Sequence, residues 1–123
     1  MCSSDLRLAE GEVLVVHGCG GVGLAAVGFG RALGATVVAV DLSAEALAMA
    51  TAMGADMALD AGQLPSGVTV ADAIFEMVGG AHVSVDCLGS PMTAANSVYS
   101  LQPLGRHVQI GRSEEHTSEL QSH

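Results

Sequence analysis

A glycine-rich hexapeptide constrains this chain more than any other feature. Gly18-Cys19-Gly20-Gly21-Val22-Gly23 has the spacing G-x-G-x-x-G. Alone the pattern is weak, because a chain with 16 glycines in 123 residues can form it by chance. Its flanks make it specific. Glu12 to His17 is a short, Val-rich apolar run that reads as a buried parallel strand. From Gly21 to Leu33 the period changes. Val22, Ala25, Ala26, Phe29 and Leu33 recur at helical spacing, and Gly34 supplies a stop. The hexapeptide therefore joins a strand to a helix. Gly18 permits the tight turn, Gly20 lets the backbone approach a phosphate pair, and Gly23 lets the helix pack close to the strand. The helix start offers free N–H groups and the positive end of its dipole.

The same alternation continues along the chain. Thr36 to Val40 reads as a second strand ending at Asp41. Ser43 is an N-cap for a helix that carries Leu47, Ala50 and Met53 inward and stops at Gly54. Asp56 to Asp60 is a third strand, and Gln63 to Gly67 a polar loop. Val70 to Val78 is a helix with Val70, Ile74, Met77 and Val78 on one face. Val83 to Asp86 is a fourth strand, Thr93 to Leu101 a helix, Pro103-Leu104-Gly105 a turn, and His107 to Ile110 a fifth strand. Strands spaced about 20–25 residues apart with helices between them predict parallel pairing through crossovers. The fold class expected is α/β, a Rossmann-type doubly wound parallel sheet of about five strands, truncated before a sixth.

Asp41 closes the second strand about 20 residues beyond the glycine turn, the context that turns the motif into a dinucleotide site. Its carboxylate would accept hydrogen bonds from the adenosine ribose hydroxyls and repel a 2′-phosphate. Leu42, Ser43 and Ala44 offer no cation to pair such a phosphate, so the expected cofactor is NAD rather than NADP. The plain alternative is a glycine-rich turn beside a solvated carboxylate. The expected cofactor-binding residues in the turn are Gly18, Cys19, Gly20, Gly21, Val22 and Gly23, with Asp41 beyond it. No residue of this chain is assigned a catalytic or metal-binding role. Asp60 and Asp86 end strands and read as loop hydrogen-bond acceptors. His17, His82 and His107 are scattered along the chain, and no second Cys or His lies at ligand spacing from Cys19.

Composition excludes several functions. The chain has no Lys, since its four basic residues are all Arg, so it has no Schiff-base lysine, Walker-A lysine or Tyr-x-x-x-Lys pair. The last point excludes a short-chain dehydrogenase site within the chain. A methyltransferase fits the glycine spacing poorly. The formal charge of −9 argues against a nucleic-acid partner. No apolar run approaches the roughly 18 residues of a membrane span, and no signal peptide is visible. Three cysteines without a pairing pattern make a reducing, cytoplasmic setting the expectation.

The ends differ from the middle. Residues 112–123 (Arg-Ser-Glu-Glu-His-Thr-Ser-Glu-Leu-Gln-Ser-His) are polar and without periodicity, and they resemble the translation of a common sequencing-library adapter. The reverse complement of that adapter's first part, begun at a GTG start codon, translates as Met-Cys-Ser-Ser-Asp-Leu, which is Met1 to Leu6. Residues 1–6 and 112–123 are therefore expected to be adapter-derived, the latter as a disordered tail. Residues 7–111 are expected to be a partial cofactor domain from a longer gene. Losing a sixth strand would leave the fifth as an open, apolar edge and make the chain poorly soluble.

Beyond these local readings, the ordered series resembles a known family. Gly11 to Leu24, Arg31 to Ala35, Leu47 to Ala55 with its Met53-Gly54-Ala55 ending, Val83 to Gly89 and Arg106 to Gly111 are together similar to the cofactor domain of zinc-type medium-chain alcohol dehydrogenases. The resemblance covers nearly all of residues 7–111. It implies that Cys87 and Leu88 line the cofactor cleft and that the backbone of Ile110 helps hold the carboxamide. It implies a parent enzyme moving hydride between an alcohol or aldehyde and NAD(H), with zinc polarising the alcohol oxygen. The zinc ligands would belong to a catalytic domain of the same parent chain that is missing here, and the parent would be a homo-oligomer. This chain alone would be inactive. A stand-alone nucleotide-binding regulatory module without catalysis is the alternative reading.

Overall fold

The computed structural model describes residues 8–111; the two adapter-like segments, including the expected disordered tail, lie outside the described residues. Among the described residues nine elements alternate. Strand β1 (Val13–His17) leads into helix α1 (Gly21–Ala32), then β2 (Thr36–Asp41), α2 (Ala44–Met53) and β3 (Met57–Asp60). Helix α3 (Val70–Val78), β4 (Ala81–Asp86), α4 (Pro91–Tyr99) and β5 (Leu101–Gln109) complete the series. The five strands form one parallel sheet in the order β3-β2-β1-β4-β5. The expected Rossmann-type doubly wound sheet is present.

The pleat assigns alternate residues to opposite faces. Leu14, Val16, Val37, Ala39, Val83 and Val85 face α1 and α2, and pack with Val27, Leu47 and Ala50. Val13, Val15, Val38 and Val40 face the other way, onto Ile74 of α3. Val, Leu and Ile dominate both faces because β1 and β2 are covered on both sides. Strand order reverses between β1 and β4, so β2 and β4 flank β1. The loops after β1 and β4 diverge there and open a crevice at the carboxyl ends of the strands.

Local chemistry ends the helices as expected. Ser43, Thr69 and Ser90 each accept a backbone N–H as N-cap residues, the last two in capping boxes. Gly34, Gly54 and Gly79 follow with positive φ.

Three details differ from the sequence expectation. Helix α1 does not bury the face marked by Val22 and Phe29, which are exposed; it buries Gly23, Val27 and Gly30. A Cβ at Gly30 would come within 2.5 Å of Leu14 Cδ2, so glycine lets the helix axis approach the sheet closely and sets its rotation. Met53 and Met77 are likewise exposed rather than turned inward. Helix α4 begins at Pro91 and ends at Tyr99, and β5 starts at Leu101, well before His107. The expected Pro103-Leu104-Gly105 turn survives as a bulge inside β5. Ala81 pairs with Leu101 but Val83 with Arg106, so the intervening residues loop out, with Leu104 at φ 70°.

Candidate dinucleotide site

The glycine turn is fixed from below and open above. Gly18 N–H donates to the Val40 carbonyl at 2.8 Å, extending the β1–β2 ladder by one residue. Its φ of 95° is a glycine conformation, and a Cβ there would also press on Leu88 at 3.1 Å. A Cβ on Gly23 would collide with the Gly18 carbonyl, so the first turn of α1 sits directly against the end of β1. Gly20 and Gly21 are the opposite case: a Cβ at either meets nothing within 4 Å. Gly20 is the N-cap of α1, and no side chain caps that helix, whereas Ser43, Thr69 and Ser90 cap the other three. The first N–H groups of α1, including those of Gly21 and Val22, therefore lack a side-chain acceptor at the positive end of the dipole, beside glycines that leave room around them.

Asp41 stands beside this turn at the end of β2. Its Oδ2 accepts the Cys19 N–H at 2.7 Å and its Oδ1 the Ser43 N–H at 2.9 Å. Both bonds hold the carboxylate in place, and each oxygen retains a further lone pair for a ligand hydroxyl. The Cys19 side chain points away, buried, with its Sγ 3.7 Å from the Val40 carbonyl. Burial, then the nearby Asp41 charge, pushes its thiol up to about 11. Cys87 is also pushed up to about 11 by burial and then by Asp86. Both thiols are protonated at neutral pH, so neither is poised as a nucleophile or a thiolate ligand.

Leu88, from the β4 side of the crevice, faces Leu42 from the β2 side across an apolar cleft of about 160 Å³ that Val40, Met92 and Asp41 also line. Ile110 lies past the end of β5, half-exposed, with its N–H bonded to the Asp86 carbonyl at 3.0 Å. The Gly111 N–H bonds to the same carbonyl at 2.9 Å, and a Cβ on Gly111 would strike the Cys87 carbonyl. The ends of β4 and β5 are thereby drawn together. The structure thus brings Gly18, Cys19 and Gly20 to Gly23 together with Asp41 and Leu88 around one crevice. Cys87 and Ile110 stand on its β4–β5 side.

Asp86 organises that side. It is fully buried; Oδ1 accepts the Leu88 and Gly89 N–H groups at 2.9 and 3.0 Å, and Oδ2 accepts Gln109 Nε2 at 2.9 Å. Burial alone would raise its pKa, but the hydrogen bonds from Gly89, Gln109 and Leu88 outweigh it and hold the carboxyl below its ordinary value. Asp60 likewise accepts the Gly62 N–H, and His82 Nδ1 accepts the Val13 N–H at the opposite end of the sheet.

Sequence reading missed a buried polar layer between the sheet and α4. His17 Nε2 lies 2.9 Å from Ser84 Oγ, which receives Ser97 Oγ at 2.8 Å. Ser97 lies 2.7 Å from His107 Nδ1, and His107 Nε2 3.0 Å from Gln109 Oε1. Gln109 closes the chain on Asp86. The signal was available in the alternation of polar residues along β4 (His82, Ser84, Asp86) and β5 (His107, Gln109). Among the described residues, no group of three His, Cys, Asp or Glu gathers as a metal site.

A parallel sheet with its switch point at β1/β4, a glycine turn there and an acidic residue closing β2 define the class: a Rossmann-type domain. Residues 21–122 match the family model described as zinc-binding dehydrogenase, and the chain belongs to that family. It is 36% identical over 101 residues to an alcohol dehydrogenase of Geobacillus stearothermophilus, covering 82% of this chain and 29% of that one. With D-xylulose reductase of Saccharomyces cerevisiae it shares 35% over 112 residues, 89% of this chain and 32% of the other. A solved alcohol dehydrogenase from Aeropyrum pernix superposes with a TM-score of 0.79 at 31% identity, over 90% of this chain and 32% of that one. The chain therefore spans about a third of the length of such relatives.

Proposed function

We propose that this chain is the NAD-binding portion of a zinc-type alcohol dehydrogenase that moves hydride between an alcohol or aldehyde and NAD(H). The observation that carries the reading is the uncapped start of α1 behind the open faces of Gly20 and Gly21, with the fixed Asp41 carboxylate alongside. The cradle fits a pyrophosphate: backbone donors converge where no side chain intrudes. Asp41 would accept the adenosine ribose hydroxyls, and the apolar cleft between Leu42 and Leu88 suits a flat base. Cys87 and the Ile110 backbone would border the nicotinamide end. NAD, once bound, supplies the hydride acceptor; the chain's own residues bind and orient it. Zinc and its ligands would belong to a catalytic domain elsewhere in a longer parent chain, which the partial coverage of relatives supports. The parent is read as a cytoplasmic homo-oligomer without a nucleic-acid or membrane partner. No helix among the described residues is long and apolar enough to cross a membrane.

Calorimetric titration of the chain with NADH and NADPH tests this. NADH should bind at least about tenfold more tightly, because Asp41 sits where a 2′-phosphate would place a like charge. Asp41→Ser should narrow that ratio. Equal affinity for both in the wild-type chain, or no binding of either, overturns the reading.

A further inference from the structure

Gln109 is exposed at the end of β5, yet its side-chain amide is tied by three hydrogen bonds. Nε2 donates to Asp86 Oδ2 at 2.9 Å and to the Gly111 carbonyl at 2.6 Å. A carboxylate and a carbonyl only accept, so the amide has one orientation. Both of its N–H groups are spent, and Oε1 accepts from His107 Nε2 at 3.0 Å.

These bonds fix the two residues that follow the strand. The Asp86 carbonyl accepts the Ile110 N–H at 3.0 Å and the Gly111 N–H at 2.9 Å. Gln109 holds the Gly111 carbonyl, and among the described residues this is the one side-chain hydrogen bond that the pair receives. One backbone group is left over, because among the described residues nothing donates to the Ile110 carbonyl. Across a trans peptide that carbonyl points opposite to the Gly111 N–H, and so away from the Asp86 carbonyl. It is an unspent acceptor at the end of the crevice assigned above to the nicotinamide, whose carboxamide carries N–H donors.

We propose that Gln109 is a positioning residue for the nicotinamide end of the site. It staples the Gly111 carbonyl to the Asp86 carboxylate and so holds the Ile110 carbonyl in place to accept from a ligand carboxamide. With its own amide fully engaged, Gln109 acts through this backbone rather than on the ligand. Asp86 is the buried anchor, and His107 keeps the amide from turning over. The assignment rests on the NAD reading.

The test pairs a ligand series with a variant. NAD, ADP-ribose and 3-acetylpyridine adenine dinucleotide are titrated calorimetrically into the wild-type chain and into Gln109→Met, which keeps the side chain's length and loses its hydrogen bonds. ADP-ribose lacks the nicotinamide; the acetylpyridine analogue has a methyl group in place of the amide NH₂. The wild type should prefer NAD to that analogue about three- to tenfold, the worth of one neutral hydrogen bond. Gln109→Met should weaken NAD by a similar factor, erase the preference and leave ADP-ribose unchanged. A residue that only stabilised the fold would move all three ligands alike or none. In the wild type, NAD should also shift the ¹³C resonance of the Ile110 carbonyl, and ADP-ribose should not, a readout that needs no variant to fold. Wild-type affinity for NAD in Gln109→Met, parallel weakening of all three ligands, or an Ile110 carbonyl unmoved by NAD overturns the proposal. A wild-type chain that binds neither NAD nor ADP-ribose overturns the dinucleotide reading with it, whereas binding of both without a Gln109 effect removes this inference alone.

Discussion

His17 shows how burying one titratable ring burdens the fold. Burial first, opposed by Asp86 and aided by His107, lowers its pKa from 6.5 to about 4. The unfolded chain therefore takes up a proton near pH 6.5 that the folded chain refuses until about pH 4. Stability is unaffected above pH 6.5 and falls as pH drops through that window, by on the order of 3 kcal/mol in total. Asp86 acts in the same sense but lower: its depressed pKa means its contribution is lost only below its ordinary value of 3.8. Urea unfolding between pH 7 and 4.5 should show a steep loss in the wild-type chain and a shallower one, by close to one proton, in His17→Gln. Equal slopes in the two proteins would refute the assignment.

At the scale of elements, the chain separates helices that are closed off from the one left open. Ser43, Thr69 and Ser90 each accept one first-turn N–H of α2, α3 and α4, while α1 has no side-chain cap. Strand β5 carries the opposite kind of feature, a defect with no ligand in view. Leu104 is fully exposed and sits at φ 70° at the tip of the bulge. A left-handed residue with a Cβ costs about 1–2 kcal/mol, and an exposed leucine recovers nothing through packing. Leu104→Gly should stabilise the chain by about 0.5–1 kcal/mol after the added entropy of glycine in the unfolded state, raising Tm by a few degrees. Calorimetric melting checks this, and an unchanged or lower Tm would mean the bulge tolerates leucine without strain.

For the whole molecule, the sheet is unevenly covered. The α1–α2 pair shields β1 to β3 on its side, but an apolar groove of about 360 Å³, lined by Val22, Phe29, Val85 and Ile110 among others, opens next to β5. Among the described residues β5 pairs only with β4, so its outer edge presents unpaired backbone groups beside that groove. An apolar surface joined to a bare strand edge favours self-association. Light scattering on a dilution series should show mass rising with concentration, and Ile110→Lys should lower it. A single monomer mass at every concentration would count against the edge as a sticky surface.

The sequence alone determined the order of strands and helices, the glycine turn and the place of Asp41. Each rests on local physics: a period of two or near 3.6, a φ that glycine adopts readily, a cap within three residues. The candidate crevice was legible for that reason, since the turn and the end of β2 carry their own signatures. Tertiary structure decided what depends on distant neighbours. The rotation of α1 follows close approaches of Gly23 to Gly18 and of Gly30 to Leu14, not the apolar count of its faces. The layer joining His17, Ser84, Ser97, His107 and Gln109 exists because pleating turns His17, Ser84, His107 and Gln109, from β1, β4 and β5, onto the face covered by α4, which supplies Ser97. Leu42 and Leu88, 46 positions apart in the sequence, form two walls of one cleft only after β2 and β4 are laid on either side of β1. Periodicity tells a residue which way it points along its own element, and only the packing of the elements tells it what it meets there.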